Sequence, residues 1–215
     1  MQIVIGNKNY SSWSLRGWLA VQHVGAPFEE IMLELDTPEF AARIGDYSPA
    51  GRVPVLVDGA VRVWDSLAII EYLAEKFPGS GLWPADAAAR AHARSVVAEI
   101  HSGFGGLRNH YPMNIRRPVA ERPPTETAAA DIARITAIWR DCRARFGAAG
   151  PYLFGAFSAA DCFYAPVASR LRTYAVAIGD VESAYVDAIF AHPGFAAWAE
   201  AGRRETTIVP SDEVD

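Results

Sequence analysis

The chain has 215 residues, of which 51% are hydrophobic, 21% charged and 11% aromatic, a composition that excludes a disordered or fibrous protein. The formal net charge of -5 leaves no excess of basic residues, so neither nucleic acid nor an anionic membrane surface is an expected partner. The two cysteines, Cys142 and Cys162, are too few for a disulfide framework and lack the spacing of a zinc or redox pair. We expect both to be packed thiols.

The N-terminal residues lead directly into a polar stretch, without the charged start and apolar run of a signal peptide. No apolar stretch approaches the roughly 18 residues that a membrane-spanning helix needs. We therefore expect a cytoplasmic protein with no membrane-spanning segment.

The first third of the chain alternates short runs rich in β-branched residues with helical patterns. Four such runs predict strands, at 3–5, 28–35, 53–57 and 61–64. One helix is predicted to open at Ser14, and apolar residues at helical spacing from Leu67 to Ala74 predict another. Asp58-Gly59 indicates a hairpin, because both residues tolerate positive φ. The predicted order is β-α-β-α-β-β-α, beginning with a parallel, right-handed β-α-β unit.

A break rich in proline and glycine near residue 80 separates this part from an alanine-rich remainder. The chain is expected to have a first domain at 1–79, a linker at 80–86 and a helical domain at 87–215. Helical spacing of apolar residues predicts helices at 86–109, 125–146 and 159–174. Residues 116–127 are expected to form a loop, and 211–215 a frayed tail. Ser158-x-x-Asp161 has the pattern of a capping box.

Several familiar catalytic patterns can be set aside. His92, His101 and His110 lie nine residues apart, so neighbours in the series point to opposite faces of a helix and cannot share a metal. The glycine-rich stretch at 103–106 lies inside a helical pattern and does not follow a strand. We expect these glycines to allow close packing, not to bind phosphate.

Three junctions in the first domain suit a small ligand together. The turn Asn9–Arg16 carries three serines at a helix N-terminus, where free backbone N–H groups and the helix dipole favour an anion. A proline begins the strand after Val53 and, if cis, leaves the Val53 backbone free to pair with an extended peptide. Asp65 and Ser66 begin the next helix and can hold an amino-acid head group. Each junction also has a purely structural reading as a helix cap or strand start, but the set suits a short zwitterionic peptide.

These residues resemble the cytosolic glutathione S-transferases over essentially the whole chain. The most specific stretches are Ser11–Arg16, Arg52–Leu56 and Asp65–Leu73. The serine motif is similar to that of the zeta, or maleylacetoacetate isomerase, branch and of related serine-type classes. The resemblance implies an α/β thioredoxin-like domain followed by an all-α domain, glutathione as co-substrate without a metal, and a homodimer.

The resemblance assigns the thiol end of glutathione to the serine turn. Ser11 would donate a hydrogen bond to the sulfur, with Ser12 and the Trp13 backbone as the other candidates. Trp13 stands where the zeta motif has a cysteine, so no mixed disulfide can form in this turn. The chemistry is therefore expected to use the glutathione thiolate itself, with its pKa lowered by hydrogen bonding. Loss of Ser11 is expected to lower turnover by about 10²–10³-fold.

The resemblance also implies binding roles along the rest of the peptide. The Val53 backbone would pair with the cysteinyl part, with Pro54 as the cis proline. Ser66 would bind the γ-glutamyl carboxylate, and Asp65, which replaces the usual Gln or Glu, would lie near the amino group. Arg52 would lie near the glycyl end.

The second substrate would bind between the domains. Residues 100–120 contain no acidic residue, and this basic stretch is read either as a solvated loop or as part of an electrophile pocket. In the second reading Arg108 orients an anionic or polar electrophile, together with His101, Phe104 and Asn109.

The function expected from these residues is that of a transferase that activates glutathione for attack on a small electrophile, as in detoxification. One alternative is a glutathione-dependent cis-trans isomerase of a maleylacetoacetate-like dicarboxylate. Another is a glutathione-binding stress or interaction protein with little catalysis.

Overall fold

The computed structural model describes residues 1–214, and Asp215, the last residue of the predicted helical domain and tail, lies outside the described residues. The first domain has the predicted element order. Its elements are β1 (Gln2–Ile5), α1 (Ser12–Val24), β2 (Glu29–Met32), α2 (Pro38–Arg43), β3 (Val55–Asp58), β4 (Val61–Val63) and α3 (Ser66–Lys76).

The four strands form one sheet in the order β2-β1-β3-β4. β1 pairs with β2 in parallel, as the β-α-β pattern predicted, and β3 pairs antiparallel with both β1 and β4. Gly59, with φ of 60°, makes the predicted hairpin turn. Ile3, Val4 and Ile5 of β1 are fully buried, so the central strand anchors the core of this domain.

Helix α1 begins two residues before the predicted Ser14. The Ser11 side chain caps it by accepting a hydrogen bond from the Ser14 backbone N–H. The position of the cap, and not the first residue of the apolar pattern, determines where the helix begins. The first free N–H groups of a helix need hydrogen-bond partners, and a capping side chain supplies one.

The second domain is helical, as predicted. Its helices are α4 (Ala87–Ser102), α5 (Gly105–His110), α6 (Glu126–Phe146), α7 (Ala159–Thr173), α8 (Asp180–Ala191) and α9 (Pro193–Arg204). The loop predicted over 116–127 is confirmed up to the start of α6. Helices α8 and α9 were not predicted from the sequence.

The single helix predicted over 86–109 is wrong, because the chain turns at Gly103 and Phe104 between α4 and α5. Phe104 has φ of 57°, in the left-handed region. Gly106 lies so close to α6 that a Cβ would be 2.7 Å from the backbone carbon of Thr127. The glycines therefore provide the expected close approach of two helices, but at a break in the helix.

Helix α7 is the centre of the helical domain and is buried along nearly its whole length. The predicted capping box begins it: the Ser158 backbone N–H and hydroxyl both donate to Asp161, at 2.8 and 2.9 Å. Cys142 and Cys162 are free, buried thiols, as expected. No helix within residues 1–214 is long and apolar enough to cross a membrane.

The frayed tail predicted from Ser211 onward is wrong for the described residues. Pro210–Asp212 forms a helical turn, and Val209 before it is 2% exposed. The Tyr10 hydroxyl donates to Glu213 at 2.5 Å. The acidic composition of the tail did not reveal this packing, because its partners come from the other end of the chain.

Candidate functional site

A cavity of about 710 Å³ lies between the sheet domain and the helical domain. This volume is in the range of small-molecule sites. Residues from both ends of the chain surround it: Tyr10, Ser11, Ser12, Trp13, Leu35, Phe40, Ala50, Gly51, Arg52, Val53, Pro54, Trp64, Asp65, Arg108, Asn109, Pro112, Met113, Arg170 and Asp212. The serine turn, the proline junction and Asp65 therefore meet at one place.

The hydroxyl of Ser11 is engaged within its own turn. Ser11 Oγ donates to Ser14 Oγ at 2.7 Å and accepts from the Ser14 backbone N–H at 3.3 Å. Ser14 Oγ also accepts from the Gly6 backbone N–H at 3.0 Å. Ser11 lines the cavity, but its hydroxyl proton is directed toward the first turn of α1.

The hydroxyl of Ser12 has a different partner. Ser12 Oγ accepts a hydrogen bond from Nη2 of Arg170, on α7, at 3.2 Å. Among residues 1–214, the Ser12 hydroxyl donates no hydrogen bond, and it lines the cavity. Its proton is therefore available to a ligand.

The strand junction exposes backbone to the cavity. The peptide bond between Val53 and Pro54 is cis. Within the described chain, the Val53 backbone forms no hydrogen bond with another backbone group. Gly17 of α1 packs directly against the proline, and a Cβ there would lie 3.1 Å from Pro54 Cγ. The free Val53 backbone can pair with an extended peptide. Arg52 lines the cavity beside it and is exposed.

The start of α3 holds both head-group candidates. Asp65 Oδ1 accepts from the Leu67 backbone N–H at 3.0 Å, and Oδ2 lies 3.1 Å from Nε2 of His101. Ser66 is buried and outside the cavity lining, and its Oγ has no partner within residues 1–214. A buried hydroxyl without a partner is unfavourable, and a ligand carboxylate reaching it would satisfy it.

The structure separates the four residues suggested for the electrophile pocket. Arg108 and Asn109 line the cavity. Phe104 is buried in the core, and His101 lies behind Trp13, with 5.3 Å between the ring centroids. The turn between α4 and α5 causes this separation. In a continuous helix, Phe104 would lie on the same face as His101 and Arg108.

Two buried arginines near the cavity were not singled out in the sequence as ligand-facing residues. Arg16 is fully buried between the rings of Trp13 and Phe163, and its three guanidinium nitrogens have no hydrogen-bond partner within residues 1–214. Burial and the neighbouring charges of Arg170 and Arg108 lower the pKa of Arg16 to about 9. Arg16 was considered only as part of the motif, and Arg170 carries a charge that is ordinarily found on the exposed face of a helix.

Comparison with protein families gives two matches along the chain. Residues 10–76 match the family model described as "Glutathione S-transferase, N-terminal domain". Residues 119–201 match the one described as "Glutathione S-transferase, C-terminal domain". The two ranges fall in the two structural domains and together cover most of the chain.

Similar proteins include members of the zeta class. A protein of Caenorhabditis elegans named "Probable maleylacetoacetate isomerase" is 38% identical over 99 residues, or 46% of this chain and 45% of that protein. "Glutathione S-transferase Z1" of Arabidopsis thaliana is 34% identical over 131 residues, or 57% of each chain. The chain thus spans about half the length of these relatives.

Two solved structures share the fold over nearly the whole chain. A glutathione transferase homologue from Burkholderia, with bound glutathione, has a TM-score of 0.73 at 21% identity and covers 95% of this chain and 98% of its own. A bacterial zeta-class maleyl pyruvate isomerase has a TM-score of 0.71 at 24% identity and covers 96% and 100%. The predicted fold class, a thioredoxin-like domain followed by a helical one, is confirmed.

Proposed function

The chain belongs to the glutathione S-transferase family, and we propose that it binds glutathione in the interdomain cavity and activates its thiol for attack on a small electrophile. The peptide would lie along the first domain, and the electrophile would approach from the helical side. The thiol would lose its proton to solvent water and persist as a thiolate beside Ser11 and Ser12.

One observation carries this proposal. The serine turn, the free Val53 backbone and the N-terminus of α3 line or adjoin a single cavity, which Arg108 and Asn109 of α5 complete from the other domain. Backbone at Val53 suits the middle of an extended peptide, and the unpartnered Ser66 hydroxyl suits its γ-glutamyl carboxylate. Asp65 would lie near the amino group, and Arg52 near the glycyl carboxylate. Cationic and hydroxyl groups near the remaining space suit a thiolate.

The experiment is a titration of the purified protein with glutathione. Calorimetry measures binding, and the ultraviolet absorbance of the thiolate measures ionisation of the bound thiol. We expect binding, and a pKa of the bound thiol below the roughly 8.5 of a free thiol. S-methylglutathione is the control, since it should bind without a thiolate signal. Binding with an unshifted thiol pKa would support the non-catalytic alternative instead.

A second candidate is a glutathione-dependent cis-trans isomerase of a dicarboxylate. It is favoured by the cationic groups of Arg108 and Arg170 on the cavity wall and by the likeness to a protein named as a maleylacetoacetate isomerase. In this reaction the thiolate adds to a carbon of the double bond and leaves a single bond. The single bond rotates, and the thiolate then leaves unchanged as the double bond forms again. Assays with a maleyl dicarboxylate and with a neutral aryl halide separate the two candidates.

Three further expectations complete the proposal: a homodimer, a cytoplasmic location and a role in detoxification. Light scattering on the purified protein tests the first, and fractionation of the source cells the second. Sensitivity of a deletion strain to electrophiles tests the third.

A further inference from the structure

The two neighbouring serines at the start of α1 differ in what their hydroxyl protons do. Ser11 donates its proton to Ser14 Oγ and also accepts the Ser14 backbone N–H, so it serves as the helix cap. Ser12 accepts from Arg170 and donates to no residue within 1–214. A hydroxyl has one proton, so a hydroxyl that already accepts from a cation can give its own proton elsewhere.

The position of Arg170 is determined by several contacts. Arg170 lies on α7, and its side chain is buried. Its Nε donates to the carbonyl oxygen of Tyr111 at 2.7 Å. Nη1 lies 3.3 Å from the carbonyl oxygen of Pro166. The third nitrogen, Nη2, is the one that reaches Ser12 across the domain boundary. Because the guanidinium is planar, the first two contacts determine where the third points.

We infer that Ser12 is the residue that donates the hydrogen bond to the glutathione thiolate, and that Arg170 is the positioning residue that turns the Ser12 hydroxyl proton toward the cavity. The inference rests on the proposed function and names its donor. The thiol proton leaves to solvent, Ser12 keeps its own proton, and Arg170 does not touch the sulfur. Ser11 retains a structural role as the cap of α1.

The charges around Ser12 support an anion at this place. Arg16, Arg108 and Arg170 come from three different helices, and none forms an ion pair with a carboxylate of residues 1–214 within 4.0 Å. Burial and the nearby charge of Arg108 lower the pKa of Arg170 to about 10. Asp65 and Asp212 are the acidic residues on the cavity wall. A thiolate in the cavity would offset the mutual repulsion of the arginines.

The test is the pKa of the thiol of bound glutathione in a matched set of variants. Ser12→Ala should raise this pKa by about one unit or more and lower turnover by about 10²–10³-fold, whereas Ser12→Thr, which keeps a hydroxyl, should restore most of both. Ser11→Ala, which removes the cap of α1, should lower the melting temperature and raise the thiol pKa by less than Ser12→Ala does. A rise of the thiol pKa in Ser11→Ala that equals or exceeds the rise in Ser12→Ala would overturn the assignment.

The role of Arg170 is tested by a double-mutant cycle with Arg170→Gln and Ser12→Ala. If Arg170 acts by orienting Ser12, the rise in thiol pKa caused by Arg170→Gln should largely disappear once Ser12 is alanine. Equal effects in both backgrounds would show that Arg170 acts by its charge alone and would overturn the positioning role. If Arg170→Gln fails to fold, Arg170→Lys replaces it, because lysine keeps the charge but lacks the planar guanidinium. The two outcomes of the cycle are then interpreted in the same way.

Failure of the inference and failure of the proposed function give different results. If the wild-type protein binds no glutathione, or binds it with an unshifted thiol pKa, the proposed function is wrong. If the wild type lowers the thiol pKa and Ser12→Ala leaves that shift intact, the function stands and the inference is wrong.

Discussion

The side chains of His101 and Asp65 meet across the boundary of the two domains, with 3.1 Å between Nε2 and Oδ2. Burial lowers the pKa of His101, an effect that the charge of Asp65 opposes. A neutral imidazole can still donate its Nε2 proton to the carboxylate. His101 is not among the residues that line the cavity, and we expect it to influence ligand binding through Asp65.

We expect His101→Ala to weaken glutathione binding several-fold, because it releases the carboxylate expected near the ligand amino group. The change should raise KM for glutathione and leave kcat nearly unchanged. His101→Gln, which can still donate to Asp65, is the matched control. Titration calorimetry measures the difference, and a wild-type Kd in the alanine variant would contradict this role.

Arg108 is expected to select anionic electrophiles. It lines the cavity, its Nη1 is buried without a partner within residues 1–214, and its guanidinium lies 5.5 Å from the Trp13 ring centroid. Arg108→Gln should raise KM about tenfold or more for a maleyl dicarboxylate and much less for a neutral aryl halide. Arg108→Lys keeps the charge, and its KM for the maleyl dicarboxylate should lie between those of the wild type and Arg108→Gln. Equal changes for both substrates would exclude an electrostatic role.

The charge of Asp212 should work against the thiolate. Its carboxyl lies on the cavity wall, and burial raises its pKa, an effect opposed by the charge of Arg170. Asp212→Asn is expected to lower the pKa of the bound thiol by a few tenths of a unit, since a negative neighbour disfavours a second anion. Glu213→Gln is the control, because Glu213 contacts Tyr10 and is not part of the cavity lining. A rise of the thiol pKa in Asp212→Asn would contradict the prediction.

Asp161 should make stability depend on pH. Complete burial raises its pKa to about 6, against hydrogen bonds from Leu153, Ser158 and Tyr185. The folded state therefore binds this proton more tightly than the unfolded chain, where the group titrates near 4. Its contribution to the free energy of unfolding is greatest below about pH 4 and falls by ~3 kcal/mol as the pH rises through 6.

Urea unfolding of the wild type and of Asp161→Asn between pH 4 and 7 measures this effect. Asparagine does not titrate. The free energy of unfolding of the wild type minus that of Asp161→Asn should therefore decrease as the pH rises, even if the substitution also changes stability by a constant amount. An increase with pH would show that the hydrogen bonds, and not desolvation, dominate.

Independently, Ser158→Ala should lower the free energy of unfolding by ~1 kcal/mol through loss of one bond of the capping box.

Much of this protein follows from local sequence. The element order of the first domain, the hairpin at Gly59 and the capping box at Ser158 were predicted, because each depends on a few residues close together in the chain. The motif residues also determine the family. Periodicity and caps act over one or two turns, which is the range that sequence patterns resolve.

What the tertiary structure decided involves residues far apart in sequence. Arg170 reaches Ser12 across 158 positions, and Tyr10 binds Glu213 across 203. The break at Phe104 follows from the close packing of α5 on α6, a contact that the local helical pattern does not contain. The hydrogen bond that Ser12 accepts depends on where the buried guanidinium of Arg170 points, and the carbonyl oxygens of Tyr111 and Pro166 set that direction.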